Sequence, residues 1–207
     1  MYDEDDGDEE KPDELRLPAR RRSYNCNHHF DMVGRPADIE TPPGLCRFLH
    51  DLIAPLHEVR TILDPCAGRD NLTTPWKRAE VVSYEIKRGR DFLATTGRID
   101  CDLVLCNPPF SGDNGGGKVN LVPVFLRRIL ELVPPETPIV LFAPMTFRLG
   151  QKTTSSRWRW VRDECPPITS IVSLPRDVFP AVDYHCEVLL FNMPKLRPHY
   201  FLPDEYL

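Results

Sequence analysis

Asn107-Pro108-Pro109-Phe110 constrains this chain more than any other segment. It closes the apolar run Leu103-Val104-Leu105-Cys106, which reads as a buried strand. Two consecutive prolines fix the backbone, so the Asn107 amide and the Pro108 carbonyl are held rigidly at the strand's carboxyl end. Phe110 follows with a flat aromatic face. The three together make a clamp for a planar group that carries an NH2. A second strand end, Asp64-Pro65-Cys66-Ala67-Gly68, lies upstream.

Apolar periodicity orders the rest. A helix is expected over residues 43 to 54, with Leu45, Leu49, Leu52 and Ile53 on one face. Strands are expected at 61–63, 81–84, 103–106, 139–142, 168–174 and 186–192. Further helices are expected at 122–132 and 156–163, and a short one over 70–77, cut by Pro75. Such alternation predicts an α/β protein with a doubly wound, mostly parallel sheet. The chain divides into an arm over residues 1–23, acidic and then basic at Arg20-Arg21-Arg22 and expected to be disordered, and one domain over 24–207.

With 207 residues the chain is long enough for one α/β domain with a real core. No apolar run reaches membrane-spanning length, and the acidic N-terminus is unlike a signal peptide. Seven cysteines without a CxxC pair favour reduced thiols and an intracellular setting, cytoplasm or nucleoid. Cys26, His28 and His29 are close in sequence but lack a second ligand pair, so no metal is expected. The net charge of −5 is uneven. Residues 1–14 hold nine acids and one lysine, and the remainder carries 25 basic against 22 acidic residues. Between Lys118 and Arg162 eight basic residues face only Glu131 and Glu136. A basic strip of this kind suits phosphate contacts, and a solvated helix face is the plainer account.

Four motifs in order, Thr41-Pro42, Asp64 to Gly68, Asn107 to Phe110, and Ser173 to Pro180 followed by Glu187 to Asn192, resemble the S-adenosylmethionine-dependent N6-adenine methyltransferases. The likeness spans roughly residues 38 to 193 and is nearest to the catalytic domain of type I restriction-modification methylase subunits. It implies a Rossmann-like methyltransferase fold with one antiparallel strand near the end. It implies S-adenosylmethionine as cofactor, with the turn of Asp64, Pro65, Cys66, Ala67 and Gly68 around its methionine part. Glu85, 21 residues after Asp64, stands at the spacing of a ribose-binding acid. Asp91 and Phe92 resemble the pair that reads the cofactor's adenine, and Thr41 the residue that meets its carboxylate. Asn107 also borders the cofactor. The chain departs from the family at Arg69-Asp70, where members usually carry a second glycine two places after the first. Asp70 is placed either to cap the next helix or to crowd the cofactor.

The resemblance makes Asn107, Pro108, Pro109 and Phe110 the catalytic set, acting on adenine in nucleic acid, with DNA favoured over RNA. Lys118, Phe147, Arg148, Lys152, Arg157 and Arg159 are the candidate nucleic-acid contacts, with core packing the alternative for Phe147. Arg157-Trp158-Arg159-Trp160 interleaves cations and aromatics, and a helix turning Trp158, Val161 and Cys165 inward is the alternative. Gly112 to Lys118 fits GxxxxGK, but Val119 stands where a Ser or Thr is required. That loop reads better as a mobile lip. No target-recognition region is visible, so a separate specificity or activating subunit is an expected partner. Competing readings are an RNA base methyltransferase acting on adenine N6 or guanine N2, a glutamine methyltransferase, and a non-catalytic scaffold of the same fold. The glutamine enzymes typically carry Tyr where this chain has Phe110.

Overall fold

The computed structural model describes residues 39–113, 118–179 and 185–207. The expected arm, the Cys26-His28-His29 group, residues 114–117 of the lip and Pro180 lie outside the described residues, as does the side chain of Lys118.

Short apolar runs become strands β1 (Thr61–Asp64), β2 (Glu80–Ser83), β3 (Leu103–Cys106), β6 (Ile139–Pro144), β7 (Ile168–Ser173) and β8 (Cys186–Phe191). Two unexpected pieces join them. One is a hairpin of β4 (Ser111–Asp113) and β5 (Lys118–Asn120), and the other is an edge strand, β9 (His199–Phe201). The main sheet runs β2-β1-β3-β6-β8-β7-β9. Only β8 runs antiparallel to its neighbours, β6 and β7. This is the expected doubly wound, mostly parallel sheet.

Every residue of β3, β6 and β8 is buried, because both sheet faces are covered. Leu103, Leu105, Val140 and Phe142 join the layer that holds helix α1 (Pro43–Ile53). Val104, Cys106, Ile139 and Leu141 join the opposite layer, with helix α2 (Val122–Leu132). Helix α3 (Ser156–Asp163) adds Trp160 to that second layer. Each helix opens as its sequence dictates. Proline occupies the first turns of α1 and α2, where no N–H partner is needed. Asn120 Oδ1 accepts from the Val122 N–H at 3.1 Å, and Ser155 Oγ accepts from the Trp158 N–H at 3.4 Å.

Two expectations fail. Residues 70–77 form successive turns and no helix. Asp70 sits at a φ of +63°, the Thr73 and Thr74 hydroxyls both donate to its carbonyl, and Pro75 lacks an N–H. Asp70 therefore caps nothing helical. In α3 the inward tryptophan is Trp160, over which Arg127 lies 3.7 Å from the ring centroid, while Trp158 is exposed. Val161 and Cys165 do pack against the second layer.

Helix α1 is also gripped by the turn Asp204–Tyr206. The Tyr206 ring meets Phe48 edge-on at 5.3 Å, and its hydroxyl donates to Asp51 at 3.1 Å. Gly44 permits this approach, since a Cβ there would lie 2.0 Å from the Tyr206 carbonyl oxygen. Gly44→Ala, which favours an ordinary helix by about 1 kcal/mol, is expected to destabilise this protein by roughly 1–3 kcal/mol through overpacking. Urea unfolding checks it, and an unchanged or raised midpoint would contradict the docking.

Candidate active site

The chain passes outward from β1 to β2, then returns to β3 on the other side of β1. Ligands of open α/β sheets bind beyond the carboxyl ends of strands at such a reversal. Asp64 and Asn107 mark the two ends, and β1 and β3 are paired at Ile62–Leu103 and Leu63–Val104.

Asp64 is 1% exposed. Its Oδ1 accepts from the Cys66 N–H at 3.1 Å, while its Oδ2 is buried without a partner. Burial, reinforced by Asp70 and Glu85, pushes the carboxyl from 3.8 up to about 7 against the opposing pull of the Cys66 N–H and Arg88. An orphaned carboxylate oxygen in this position is unsatisfied until a donor arrives. A cofactor ammonium group fits that need.

Glu85 follows β2 and reaches the turn after β1. Its Oε2 accepts from the Gly68 N–H and its Oε1 from the Lys87 N–H, both at 2.9 Å. Each carboxylate oxygen has a second lone pair, so ribose hydroxyls can still be accepted. The turn itself continues the β1–β2 ladder, with Tyr84 N–H donating to the Asp64 carbonyl and Ala67 N–H to the Tyr84 carbonyl. Pro65 and Ala67 are buried beneath it. Gly68 has a φ of +53°, and a Cβ on it would approach Glu40 Oε2 to 3.2 Å. Glu40, Arg88 and Asn71 went unnoticed in the sequence. Glu40 accepts from the Arg69 N–H at 3.4 Å. Arg88 holds Asp70 with both terminal nitrogens, at 3.2 and 2.9 Å, and also donates to the Gly68 carbonyl. Left-handed backbone costs an L-residue about 1–2 kcal/mol, which is the situation of Asp70.

On the other side of the crevice, Asn107 Nδ2 donates to Thr41 Oγ1 at 3.0 Å. The amide oxygen is thereby turned away from Thr41. The Thr41 carbonyl in turn accepts from Asn71 Nδ2 at 3.4 Å and from the Cys46 thiol at 3.7 Å. Thr41, 4% exposed, thus ties the start of α1 to both strand ends. Pro108 is buried, Pro109 exposed, and Phe110 half-buried against both core layers. Burial, then a hydrogen bond with Cys106, raises the Cys66 thiol well above its ordinary value, so it stays protonated.

Several expected contacts are placed otherwise. Phe92 is 2% exposed, edge-on to Tyr84 and stacked with Phe125, so it offers no face to an adenine. Asp91 Oδ1 accepts from the Leu93 N–H at 2.9 Å and starts a short helical turn. Phe147 is fully buried in the second layer and cannot stack on a base. Arg148 is committed to Glu187, a nearly buried acid on β8, through two bonds of 3.0 and 2.8 Å. Arg162 pairs with Asp163, and Arg128 with Glu131. Lys152 and Arg159 are exposed, and the half-buried Arg157 reaches the Thr146 carbonyl at 3.4 Å. Met145, Leu149 and Trp158 add exposed apolar surface to this segment.

No family model and no curated protein matches this sequence. Solved structures match its shape. A protein from Listeria monocytogenes described as a class I S-adenosylmethionine-dependent methyltransferase gives a TM-score of 0.58 at 17% identity, over 80% of this chain and 66% of that one. The methyltransferase subunit of a type I restriction-modification system from Streptococcus thermophilus gives 0.57 at 16%, over 79% and 47%. A dimethyladenosine transferase from Plasmodium falciparum gives 0.51 at 14%, over 74% and 62%. The fold is therefore the Rossmann-like methyltransferase fold, as found in type I modification subunits. This chain spans less than two thirds of the length of each of the three.

Asp64 keeps its proton in the folded protein longer than in the unfolded chain. Its ionisation therefore lowers stability as pH rises from 3.8 to about 7. Across that window the wild type is expected to lose roughly 2–4 kcal/mol relative to Asp64→Asn. Urea unfolding at several pH values measures this, and parallel profiles for the two proteins would rule out the effect.

Proposed function

We propose that this protein transfers the methyl group of S-adenosylmethionine to the exocyclic N6 amine of adenine in DNA. One observation carries the reading. The amide nitrogen of Asn107 donates to Thr41 Oγ1, which turns the amide oxygen away from Thr41, at the end of the strand paired with the one that ends at Asp64.

The cofactor, when bound, supplies an electrophilic methyl group. Asp64 would hold its ammonium, Glu85 its ribose hydroxyls, Asp91 its adenine amine, and Thr41 its carboxylate end. Phe92 supports that region from within the core. Asn107 Oδ1 and the Pro108 carbonyl accept the two N–H bonds of the target amine. An aniline-like nitrogen is a poor nucleophile because its lone pair is delocalised. Two acceptors draw it toward tetrahedral geometry and stabilise the positive charge that develops on it. Phe110 stacks on the base, a contact worth about 1–3 kcal/mol. A base in a duplex has to be flipped out to reach this clamp. Lys152, Arg157 and Arg159 meet backbone phosphates, with Trp158 among them. A separate subunit supplies sequence reading. The acidic residues 1–14 screen this basic surface from non-specific DNA.

Labelled S-adenosylmethionine is offered with single-stranded DNA, duplex DNA, RNA and a glutamine peptide, and the products are identified by mass. N6-methyladenine in DNA is the expected product. Methylated RNA or methylglutamine instead would overturn the DNA assignment, and cofactor binding without any transfer would favour a scaffold. Asn107→Ala is expected to lower turnover on the order of a hundredfold or more while leaving cofactor affinity within about twofold. Equal turnover of variant and wild type refutes the role of Asn107. Deleting residues 1–14 is expected to strengthen non-specific DNA binding at low salt. An unchanged salt dependence removes the screening role.

A further inference from the structure

We propose that Arg88 is a positioning residue that holds the turn after β1 in its ligand-binding shape, in place of a glycine at position 70. The inference rests on the reading that this turn receives S-adenosylmethionine.

Three observations converge on it. Asp70 adopts a φ of +63°, a conformation that glycine takes without strain and aspartate takes at a cost. Arg88 holds it with a two-pronged grip on both carboxylate oxygens, a geometry the planar guanidinium suits and an ammonium does not. The same guanidinium donates to the Gly68 carbonyl, while Glu85 takes the Gly68 N–H. Both polar groups of the Gly68 backbone are thus fixed by side chains of one short segment. That segment turns through Ile86–Arg88 and is released by Gly89 at a φ of +77°. The grip connects the loops that leave the adjacent strands β1 and β2, so it braces the turn after β1 from the side away from Asn107.

Stability is not what the pair is for. Arg88 and Asp70 are about half exposed, at 45% and 46%, and exposed pairs contribute little to folding. What the pair controls is the shape of the turn. Without Arg88, Asp70 relaxes from its left-handed conformation and carries the Gly68 peptide with it. With glycine at position 70 the turn keeps its shape unaided, and Arg88 is no longer required.

The test is calorimetric titration of S-adenosylmethionine into wild type, Arg88→Ala, Asp70→Gly and the double variant, with thermal melting of each. Arg88→Ala is expected to weaken binding on the order of tenfold while melting close to wild type. In the Asp70→Gly background, the same Arg88→Ala change is expected to alter affinity less than about twofold. Wild-type affinity in Arg88→Ala overturns the proposal. So does an equal loss in both backgrounds, which would mean Arg88 acts without Asp70. A large drop in melting temperature alongside weakened binding would overturn it too, by making the pair a folding element. No binding by the wild type would instead overturn the assignment of the turn to this cofactor, and the role of Arg88 with it.

Discussion

Parallel pairing between β1 and β3 sets the rest of this molecule. The register Ile62–Leu103 and Leu63–Val104 makes the Asp64 turn and the Asn107 turn leave the sheet from one edge. Parallel neighbours cannot be joined by a tight turn. The chain leaves through β2 on the outer side of β1 and returns to β3 on its inner side, the reversal beside which the two strand ends lie. Buried residues on both faces keep the two strands from slipping, because a shift of one residue would exchange the layers on the two sides. Thr41 then joins the two edges, through its hydroxyl to Asn107 and its carbonyl to Asn71.

Around this crevice the chain gathers acids faster than it neutralises them. Asp64, Asp70, Glu85 and Glu40 all touch the turn, and Arg88 and Arg69 answer them. Most of these charges are spent on backbone N–H groups, which gives the loop its form. Asp70 gives its oxygens to Arg88 instead, and Asp64 keeps one oxygen dry and unpaired. A folded protein tolerates such an atom when a ligand completes it. That unpaired oxygen is also why burial raises the Asp64 carboxyl so far.

Periodic segments were legible in the sequence. Helices α1, α2 and α3 and strand β3 fall where their apolar spacing places them, because core burial dictates that spacing. Short pieces without it escaped, as with the three residues of β9 and the hairpin around the glycine-rich lip. The turns at 70–77 were misread because a left-handed Asp70 and two threonine hydroxyls compete with a helix, and no period reveals that. Aromatic residues were ambiguous for a different reason. Phe92 and Phe147 follow strand ends, where a base-stacking ring and a core ring look alike in one dimension. Arg148 looked like a surface cation because its partner, Glu187, lies on a strand that closes the sheet late. Arg88 was hidden in the run Lys87-Arg88-Gly89-Arg90, and its role depends on a partner 18 residues earlier.

The two prolines at the end of β3 have a chemical consequence of their own. Successive prolines supply two carbonyl oxygens and no N–H. Where the strand ends, the local inventory of polar groups is therefore lopsided, with lone pairs in excess of hydrogens. The two prolines themselves can donate to none of these oxygens. The excess favours a partner that brings hydrogens. An amine with two hydrogens can satisfy both the Asn107 oxygen and the Pro108 carbonyl, whereas an alcohol leaves one of them idle. That difference, counted in hydrogens per donor, comes from the covalent structure of the chain, ahead of any pocket shape.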